Sequence, residues 1–354
     1  YNKKSKFEVV KSIKFYYRIN YNFNMKIAVV ILKWNGKQLL AQFLPKVLAF
    51  SKDATIYVAD NASADDSIDY VKTNFPEVRI IQNAENGGYA KGYNDALPQV
   101  EEEIFCLLNS DIEVTENWLA PILSEFESNS ETAIIQPKIL DFKQKTHFEY
   151  AGAAGGFIDK YGYPYCRGRI FHTLEEDNNQ YNDAIEIFWA SGACLFIRKS
   201  VFHELNGFDQ DFFAHQEEID LCWRAFNKGY KTKYISESVV YHVGGATLDS
   251  TNPRKTYLNF RNSLCMLTKN LPKGKLFPII FLRMVLDGIA GIQFLFQFKF
   301  KHFFAIIKAH FHFYGRFPKM VKKRGNTQQK KYFAQKSIVY SYFIKGKKTF
   351  SDLK

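Results

Sequence analysis

The sequence predicts an α/β fold built on a doubly wound, mostly parallel sheet. In the first half of the chain, continuous apolar, β-branched runs alternate with segments of helical periodicity. This pattern is typical of strands buried on both faces and joined by short connections through helices. In such sheets ligands bind beyond the carboxyl ends of the strands. The polar residues that follow the strands are therefore the candidate functional residues.

The first half contains five predicted strands and four predicted helices. The strands are residues 27–32, 55–59, 78–81, 104–108 and 133–136. The helices are residues 37–50, 67–75, 89–97 and 118–127. Residues 140–187 are irregular and rich in glycine and tyrosine, which indicates hairpins and a loop flanking the site. Farther along, we predict strands at 188–197 and 231–235, and helices at 216–227 and 254–269.

Charge divides this chain of 354 residues into an acidic body and a basic tail. Residues 25–269 carry a net charge of −9, whereas residues 270–354 carry +16 and residues 1–24 carry +5. The tail is rich in phenylalanine, and cations interleaved with aromatic rings favour an anionic membrane surface over nucleic acid. A solvated helical face is the alternative interpretation of this tail.

Within the tail, residues 276–298 are apolar but contain Arg283 and Asp287. A membrane-spanning helix needs ~20 predominantly apolar residues, and two charges inside the segment oppose spanning. The two side chains are spaced to pair at i,i+4. We therefore predict an interfacial or re-entrant helix that associates peripherally with a membrane.

The cysteines and the N-terminal residues set the cellular context. The five cysteines are scattered without a C-x-x-C pair, which indicates a reducing compartment and no structural zinc. Residues 1–24 lack the apolar stretch of a signal peptide. Because Met25 directly precedes the first strand, we expect it to be the natural start and the preceding residues to lie outside the fold.

Two polar motifs follow the second and third strands. The second strand ends in Asp60 and Asn61, where a carboxylate can accept a hydrogen bond from a nucleobase or a ribose, or can cap the next helix. Residues 86–94 open a helix, where Gly88 lets the backbone approach a ligand and Lys91 adds positive charge beside an end that favours anions. Glycine pairs also form ordinary turns, and the spacing matches neither a dinucleotide-binding nor a Walker motif.

The fourth strand ends in the triplet Asn109-Ser110-Asp111. Asp111 could hold Mg²⁺ or Mn²⁺ if phosphate oxygens and waters complete the coordination, or it could cap a helix. His242 ends a later apolar run and could share that metal, and a nitrogen ligand favours Mn²⁺ without excluding Mg²⁺. A lone histidine of this kind is more often structural.

The densest carboxylate cluster is formed by Glu217, Glu218 and Asp220. Carboxylates this close repel one another, which raises the pKa of at least one of them. Apolar neighbours turn the segment partly inward, so one carboxylate is a candidate general base. The alternative is a surface helix, and in either case Asp220 is expected to form a structural pair with Arg224.

The order of these motifs strongly resembles the family 2 inverting glycosyltransferases, especially their rhamnosyltransferase-like bacterial branch. The motifs are W-N-G, D-N-A-S, N-G-G-Y-A-x-G-x-N, L-L-N-S-D, G-F-D-x-x-F-F, E-E-x-D-L-x-x-R and H-x-G-G. The resemblance covers about residues 26–271 and implies the GT-A fold, a nucleotide-binding α/β domain fused to an acceptor region. We accordingly expect an N-terminal extension (1–24), a GT-A domain (25–270) and a helical, basic, membrane-associating tail (271–354). Within the GT-A domain, the donor part would cover about 25–137 and the acceptor part about 138–270.

The resemblance also implies roles for individual residues. Asp60 would contact the donor base, Asp111 and His242 would ligate Mn²⁺ or Mg²⁺, and Glu218 would be the catalytic base. Arg261 belongs to a segment with Arg254, Tyr257 and Asn262 that would lie near the donor phosphates or the acceptor. The predicted donor-binding residues are Asp60, Asn61, Gly88, Lys91, Asn109, Asp111 and Arg261. The predicted acceptor-binding residues are Trp189, Gly192, Asp209 and Asp220.

Two departures from the family pattern are present. The triplet at 109–111 lacks the first aspartate, as is common in this branch. Glu217-Glu218 replaces the usual Glu-Asp, so Glu217 stays a second candidate for the base. The implied reaction moves rhamnose from dTDP, or a hexose from UDP, onto a hydroxyl of a glycan or lipid-linked saccharide. This would serve cell-surface polysaccharide synthesis on the cytoplasmic face of the membrane.

Two rival functions remain open. A nucleotidyltransferase would share the sheet and the metal, but would need a glycine-rich basic loop where this chain has Lys33-Trp34-Asn35-Gly36. A catalytically degenerate glycosyltransferase could instead serve as a membrane-associated scaffold that binds sugar or nucleotide. The Glu-Glu pair and the missing aspartate favour this second alternative.

Overall fold

The computed structural model describes residues 23–244 and 252–353, so the predicted extension at 1–24 lies almost wholly outside the described residues. A nine-stranded mixed sheet forms the centre of the fold. One of the nine strands, β5, lies outside the main strand order and pairs with β13. The order of the other eight strands is β11-β13-β6-β12-β4-β1-β2-β3. Their bounds are β1 Ile27–Lys33, β2 Ala54–Asp60, β3 Arg79–Gln82, β4 Ile104–Asn109, β5 Ile112–Val114, β6 Thr132–Asp141, β11 Ala184–Ile187, β12 Cys194–Arg198 and β13 Lys231–His242.

The predicted parallel arrangement holds for the first four strands of the chain. Strand β1 pairs in parallel with both β2 and β4, and β2 pairs in parallel with β3. These strands therefore place their carboxyl ends, with Asp60 and Asn109, at one edge of the sheet. Strand β12 runs antiparallel between β4 and β6, which makes the second half of the sheet mixed.

Helices cover both faces of the sheet, as the strand–helix alternation predicts. Alternate residues of β1 enter two separate cores, Ala28 and Val30 on one face and Val29 and Ile31 on the other. The helices are α1 Lys37–Phe50, α2 Ser67–Asn74, α3 Gly88–Ala96, α4 Ala120–Ser128, α5 Lys199–Glu204, α6 Glu217–Asn227, α7 Pro253–Asn270, α8 Leu276–Phe296 and α9 Phe300–Lys322. Helices α1, α2 and α4 bury their apolar residues on the Val29 face, and α3, α5, α6 and α7 on the other.

The predicted strand at 188–197 is wrong in its first half. Strand β11 ends at Ile187, and β12 begins only at Cys194. The intervening loop is held from within the protein, since the indole of Trp189 donates to the carbonyl of Phe157 at 2.8 Å and the amide of Ser191 donates to Gln136 at 2.8 Å. Buried apolar residues in a loop gave this segment the same pattern as a strand.

The predicted hairpins between residues 140 and 187 form a small four-stranded antiparallel sheet. Its strands are β7 Gly156–Ile158, β8 Pro164–Cys166, β9 Arg169–Ile170 and β10 Thr173–Leu174. After α9 the chain returns to this sheet, where Ile338 and Tyr342 are buried against Tyr165 and Ile170. The last residues of the tail are therefore part of the fold of the domain.

The charges inside α8 are turned toward the protein. The guanidinium of Arg283 donates to Asp287 at 3.0 Å, as their i,i+4 spacing predicts, and also contacts the carbonyls of Tyr161 and Gly162. His310 of α9 lies 3.3 Å from the second oxygen of Asp287. Among the described helices, the segment Lys273–Phe296 is long and apolar enough to cross a membrane by length and composition alone.

Candidate functional site

The second strand delivers Asp60 to the carboxyl edge of the sheet. Its carboxylate is almost fully buried and lies 3.2 Å from the ammonium of Lys33, which ends the neighbouring strand β1. Asn35, Gly36 and Asp65, together with the first residues of α1, line a cavity of about 430 Å³. A cavity of this size suits a small ligand.

Asn61 organises the loop that leads to α3. Its amide donates to the side chain of Asn86 and to the carbonyl of Gly88, both at 3.0 Å, and its oxygen accepts from Asn83 at 3.2 Å. Asn83 also donates to the carbonyl of Gly92 at 2.9 Å. Asn61 therefore positions the glycine loop through its own hydrogen bonds.

The N-terminus of α3 is already occupied by a carbonyl of another loop. The carbonyl of Phe213 accepts from the amide of Tyr89 at 2.9 Å and from that of Ala90 at 3.4 Å. Gly88 has a φ of +73°, and a Cβ at this position would lie 2.6 Å from the same carbonyl. Lys91 pairs with Asp95 at 2.5 Å. Gly88 thus permits a close contact between two loops, and Lys91 is partly neutralised.

Asp111 and His242 meet at the end of β13. Strand β13 pairs antiparallel with β5, and the imidazole Nε2 of His242 lies 3.3 Å from a carboxylate oxygen of Asp111. On the other side of the ring, Nδ1 lies 3.1 Å from Glu149. Glu149 is not among the predicted site residues, since it lies in the irregular region and belongs to no recognised motif.

Two carboxylates flank the ring of His242 and favour its protonated form when no metal ion is bound. Burial alone would lower the pKa of His242, but its interactions with Asp111 and Glu149 raise that pKa to about 10. Oxygen and nitrogen ligands suit Mn²⁺ and Mg²⁺. Because the two carboxylates flank opposite ring nitrogens, only Asp111 and Nε2 can share one ion. In the described part of the chain, no group of three His, Cys, Asp or Glu side chains is arranged to hold a metal.

Helix α6 begins with the two glutamates of the carboxylate cluster. Glu217 is 4% exposed, whereas Glu218 is only partly buried. Burial and the neighbouring Glu218 raise the pKa of Glu217 well above its ordinary value. Burial raises the pKa of Glu218 to about 7. One carboxylate oxygen of each is buried without a hydrogen-bond partner among the described residues.

The predicted pair of Asp220 and Arg224 is confirmed, at 2.8 Å. Asp220 is fully buried and also contacts Lys269 and Asn270, at 2.7 and 2.8 Å. Asp209 is held by Lys269 and Lys323, at 2.7 and 2.5 Å. In this arrangement the carboxylates of Asp209 and Asp220 are bound to protein cations, and their contact with an acceptor stays a prediction.

Arg261 and Asn262 hold the loop that precedes the glutamates. Arg261 donates to the carbonyls of Asp211 and Phe212, both at 3.1 Å, and Asn262 donates to those of Phe212, Ala214 and His215. Three residues of this loop have positive φ although none is glycine, namely Phe213, His215 and Gln216. Arg261, predicted to contact the donor, is thus directed at the protein backbone.

The loop between β11 and β12 joins the glutamates to the fourth strand. The carbonyl of Gly192 accepts from the hydroxyl of Tyr89 at 2.8 Å, and that of Ala193 accepts from the amide of Asn109 at 2.9 Å. Tyr89 is close enough to Glu217 and Glu218 to be influenced by their charge. Gly192 therefore lies beside Tyr89, whereas Trp189 is 2% exposed and its indole is bonded to Phe157. The predicted acceptor contacts of both residues stay predictions.

Comparisons of the sequence with known proteins identify relatives. The family model described as Glycosyl transferase family 2 matches residues 28–205. The N-acetylglucosaminyl-diphospho-decaprenol L-rhamnosyltransferase of Mycobacterium tuberculosis is 23% identical over 235 residues, which cover 61% of this chain and 75% of that protein. The low-salt glycan biosynthesis hexosyltransferase Agl10 of Haloferax volcanii is 22% identical over 244 residues, which cover 67% of this chain and 73% of that protein.

Solved structures show the same architecture. GalNAc-T7, crystallised with UDP, GalNAc and Mn²⁺, aligns with a TM-score of 0.57 at 16% identity over 72% of this chain and 50% of its own. This chain therefore corresponds to half of that structure. The mannosyltransferase PcManGT of Pyrobaculum calidifontis, in complex with GDP-Man and Mn²⁺, aligns with a TM-score of 0.50 at 12% identity over 87% of this chain and 94% of its own. These alignments confirm the predicted GT-A fold.

Proposed function

This chain belongs to glycosyl transferase family 2, and from that premise we propose that it is an inverting transferase acting on a nucleoside-diphosphate sugar. The acceptor would be a hydroxyl of a glycan or a lipid-linked saccharide used in cell-surface polysaccharide synthesis. The observation that carries the proposal is Glu218, a partly buried carboxylate with a pKa of about 7 at the edge of the sheet where ligands bind.

Glu218 is the proposed general base. Its pKa near neutrality allows it to accept the proton of the acceptor hydroxyl at ordinary pH. The oxygen then forms a bond to the anomeric carbon while the bond from that carbon to the nucleoside diphosphate breaks, and the electron pair leaves with the phosphate. One displacement inverts the configuration. Glu217 is less suited, because it is 4% exposed and burial keeps it protonated.

Asp111 and His242 are the residues that would hold Mn²⁺ or Mg²⁺. Such an ion supplies stabilisation of the charge that develops on the departing diphosphate. Asp111 contributes a carboxylate oxygen, and the Nε2 of His242 faces it at 3.3 Å. Glu149, 3.1 Å from Nδ1, would fix the orientation of the ring. That the structures of GalNAc-T7 and PcManGT contain Mn²⁺ supports this assignment.

The donor would occupy the edge formed by β1, β2 and β4. Asp60 ends β2, Asn61 follows it, and Asn109 ends β4. Asn35 and Asp65 line the cavity where a base and ribose would fit. Arg254 is exposed, and its guanidinium is 5.0 Å from the ring centre of Phe213, so it is better placed than Arg261 to meet a phosphate. Similarity to an L-rhamnosyltransferase favours dTDP-rhamnose, with a UDP-hexose as the alternative.

We propose that α8 and α9 attach the enzyme to the inner face of the cytoplasmic membrane. Large apolar side chains are exposed on both helices, among them Phe277 (70%), Phe281 (66%) and Phe311 (69%). The charged side chains of Arg283 and Asp287 face the protein instead, so the outer face of α8 is apolar. An apolar face within a basic segment suits the boundary of an anionic bilayer. The division into domains at residue 270 remains part of this proposal.

Donor hydrolysis tests the proposed reaction. The full chain would be incubated with a panel of dTDP- and UDP-sugars in Mn²⁺, Mg²⁺ or EDTA, and release of the nucleoside diphosphate measured. Release from one donor that EDTA abolishes is the expected result. Binding of a donor without release, even after addition of a lipid-linked acceptor pool, would favour the non-catalytic scaffold.

Vesicle flotation tests the membrane attachment separately. We expect the full chain to float with phosphatidylglycerol vesicles, and the double change Phe281→Ser and Phe311→Ser to reduce the floated fraction severalfold, since two exposed rings would no longer enter the bilayer. Tyr150→Ser, a change of an exposed ring outside the tail, is the control. Equal flotation of all three proteins would refute this attachment surface.

A further inference from the structure

A cluster of basic side chains lies where α9 packs against α7. It is built around Tyr257 of α7, whose hydroxyl accepts from Arg261 at 3.1 Å and bonds to the Nδ1 of His312 at 2.6 Å. The ammonium of Lys308 is 5.6 Å from the centre of the same ring. Lys308, His312 and Arg316 follow one another at intervals of four residues, so they form a stripe along α9 that faces α7.

The stripe differs from the basic end of the same helix. Lys319 of α9 and Lys323, which directly follows the helix, are neutralised by Asp209 and Asp211, at distances between 2.5 and 2.7 Å. None of the ion pairs formed within residues 23–244 and 252–353 includes Lys308 or Arg316. The pKa of His312 is lowered by burial and by the positive charges of Lys308, Arg316 and Arg261. Lys308 and Arg316 therefore place two positive charges on either side of His312 with no ion-pair partner among the described residues, an arrangement that suits an anion.

The surroundings of the stripe indicate what kind of anion it would bind. On one side, Arg261 holds the loop that precedes Glu217 and Glu218, so the cluster borders the proposed catalytic base. On the other side, Phe304 (62% exposed), Ile307 (37%) and Phe311 (69%) lie on the exposed face of α9. A ligand that spans this region would place an anion between a sugar at the site and an apolar chain at the membrane.

We propose that Lys308, His312 and Arg316 bind the diphosphate of a polyprenyl-diphosphate-linked acceptor. This inference rests on the proposed function and adds the location of the acceptor's phosphate group. Arginine and lysine are the side chains suited to phosphate oxygens, by bidentate hydrogen bonds and by charge. The saccharide then extends toward Glu218, and the polyprenyl chain follows the apolar face of α9 into the bilayer.

Calorimetric titration with farnesyl diphosphate tests the site without knowledge of the sugar or the donor. The full chain is kept in neutral detergent with EDTA, which prevents metal-dependent binding of the diphosphate at Asp111 and His242. We expect the wild type to bind farnesyl diphosphate and to bind farnesol much more weakly. The double change Lys308→Gln and Arg316→Gln should weaken farnesyl diphosphate binding by roughly tenfold or more, because charge-assisted hydrogen bonds are lost.

Matched variants make the result specific. Lys301→Gln with Lys322→Gln removes the same charge from exposed positions of α9 outside the stripe and should leave farnesyl diphosphate binding unchanged. Arg316→Lys, which keeps the charge, should retain most of the affinity. Circular dichroism and thermal unfolding confirm that each variant is folded.

Several outcomes would overturn the inference. Equal affinity of the stripe variant and the wild type, or no binding by the wild type, would exclude this diphosphate site. Reduced flotation with phosphatidylglycerol vesicles alongside unchanged farnesyl diphosphate affinity would assign the stripe to bilayer lipid headgroups. Inorganic diphosphate bound as tightly as farnesyl diphosphate would remove the lipid from the proposal. Release of the nucleoside diphosphate in the presence of a lipid-linked acceptor pool is measured in parallel, and its absence from the wild type would refute the proposed function independently.

Discussion

The carboxylates at and near the start of α6 fall into two groups. Glu217 and Glu218 have no cation beside them among the described residues, whereas Asp209 and Asp220 form ion pairs. Burial raises the pKa of both glutamates. Asp220 and Asp209 are also buried, but Lys269 and Arg224 beside Asp220, and Lys269 and Lys323 beside Asp209, outweigh burial and lower the pKa of both aspartates. Burial alone therefore does not determine what a carboxylate does in this protein. Unpaired carboxylates retain the capacity to exchange protons, whereas paired ones hold the structure together.

Removing the proposed base should have the largest effect. Glu218→Gln keeps the shape of the side chain but cannot accept a proton, so we expect kcat for transfer to fall by roughly 10²–10⁴-fold with an unchanged melting temperature. Steady-state kinetics with the donor found by hydrolysis would measure this. Full transfer activity in the variant would remove Glu218 from the mechanism and return attention to Glu217.

Removing the charge of Asp220, one of the two paired aspartates, should instead lower the free energy of unfolding. Asp220→Asn leaves Lys269 and Arg224 with less compensation in the interior, so we expect a loss of about 3 kcal/mol in the free energy of unfolding. Urea denaturation measures the change, and Glu131→Gln, at an exposed ion pair with Lys231, serves as a control expected to cost less than ~1 kcal/mol. Similar losses in the two variants would mean that the buried network contributes no more than a surface pair.

Glu218, one of the two unpaired glutamates, should also determine the pH dependence of activity. Since Glu218 must be deprotonated to act, kcat/KM should rise with pH by about tenfold per unit below the pKa of about 7 and level off above it. A pH–rate profile for donor transfer measures this limb. The same limb in the residual activity of Glu218→Gln would assign it to another group.

Glu217 should make the folded state less stable as pH rises. Its folded pKa is raised, so its contribution to stability is complete below its unfolded pKa and is lost as pH increases toward the folded value. Glu217→Gln removes this dependence, and we expect a gain on the order of 1 kcal/mol relative to wild type at pH 8 but not at pH 4. Urea denaturation at both values measures it. An equal effect at both values would show that Glu217 does not titrate on unfolding.

The smallest loss of stability is expected for Lys323, the partly exposed member of the ion pairs around Asp209. Lys323 contacts Asp209 and Asp211, but its side chain is 33% exposed. Because Asp209 retains Lys269, Lys323→Gln should cost less than ~1 kcal/mol in urea denaturation. A loss as large as that of Asp220→Asn would contradict the distinction between the buried and the exposed part of the network.

The predictions from sequence are confirmed where a structure depends on residues that are close together in the chain. The apolar runs and helical periodicities between residues 27 and 136 gave strands and helices within a few residues of their observed bounds. The i,i+4 pairs Asp220–Arg224 and Arg283–Asp287 followed from helix geometry. The position of Asp60 and Asn109 at one edge followed from parallel strand order.

The remaining parts of the site depend on contacts between distant segments. Lys323 reaches Asp209 from 114 residues away, and Lys269 reaches it from 60. No spacing rule indicates that Glu149 would face His242, or that a carbonyl of Phe213 would cap α3. Trp189 shows the same limit, since its burial against Gly156 follows from loop packing and not from its neighbours in sequence.

For protein engineering, the loop before α6 is an unusual target. Phe213, His215 and Gln216 have φ values of 67°, 68° and 74°, a conformation that costs an ordinary residue roughly 1–2 kcal/mol and costs glycine almost nothing. Thermostable proteins generally gain by losing glycine from loops. Here selection for heat tolerance should have the opposite effect and enrich glycine or asparagine at 215 and 216 while excluding β-branched residues. Few residue types are therefore acceptable at these positions, next to the proposed catalytic base.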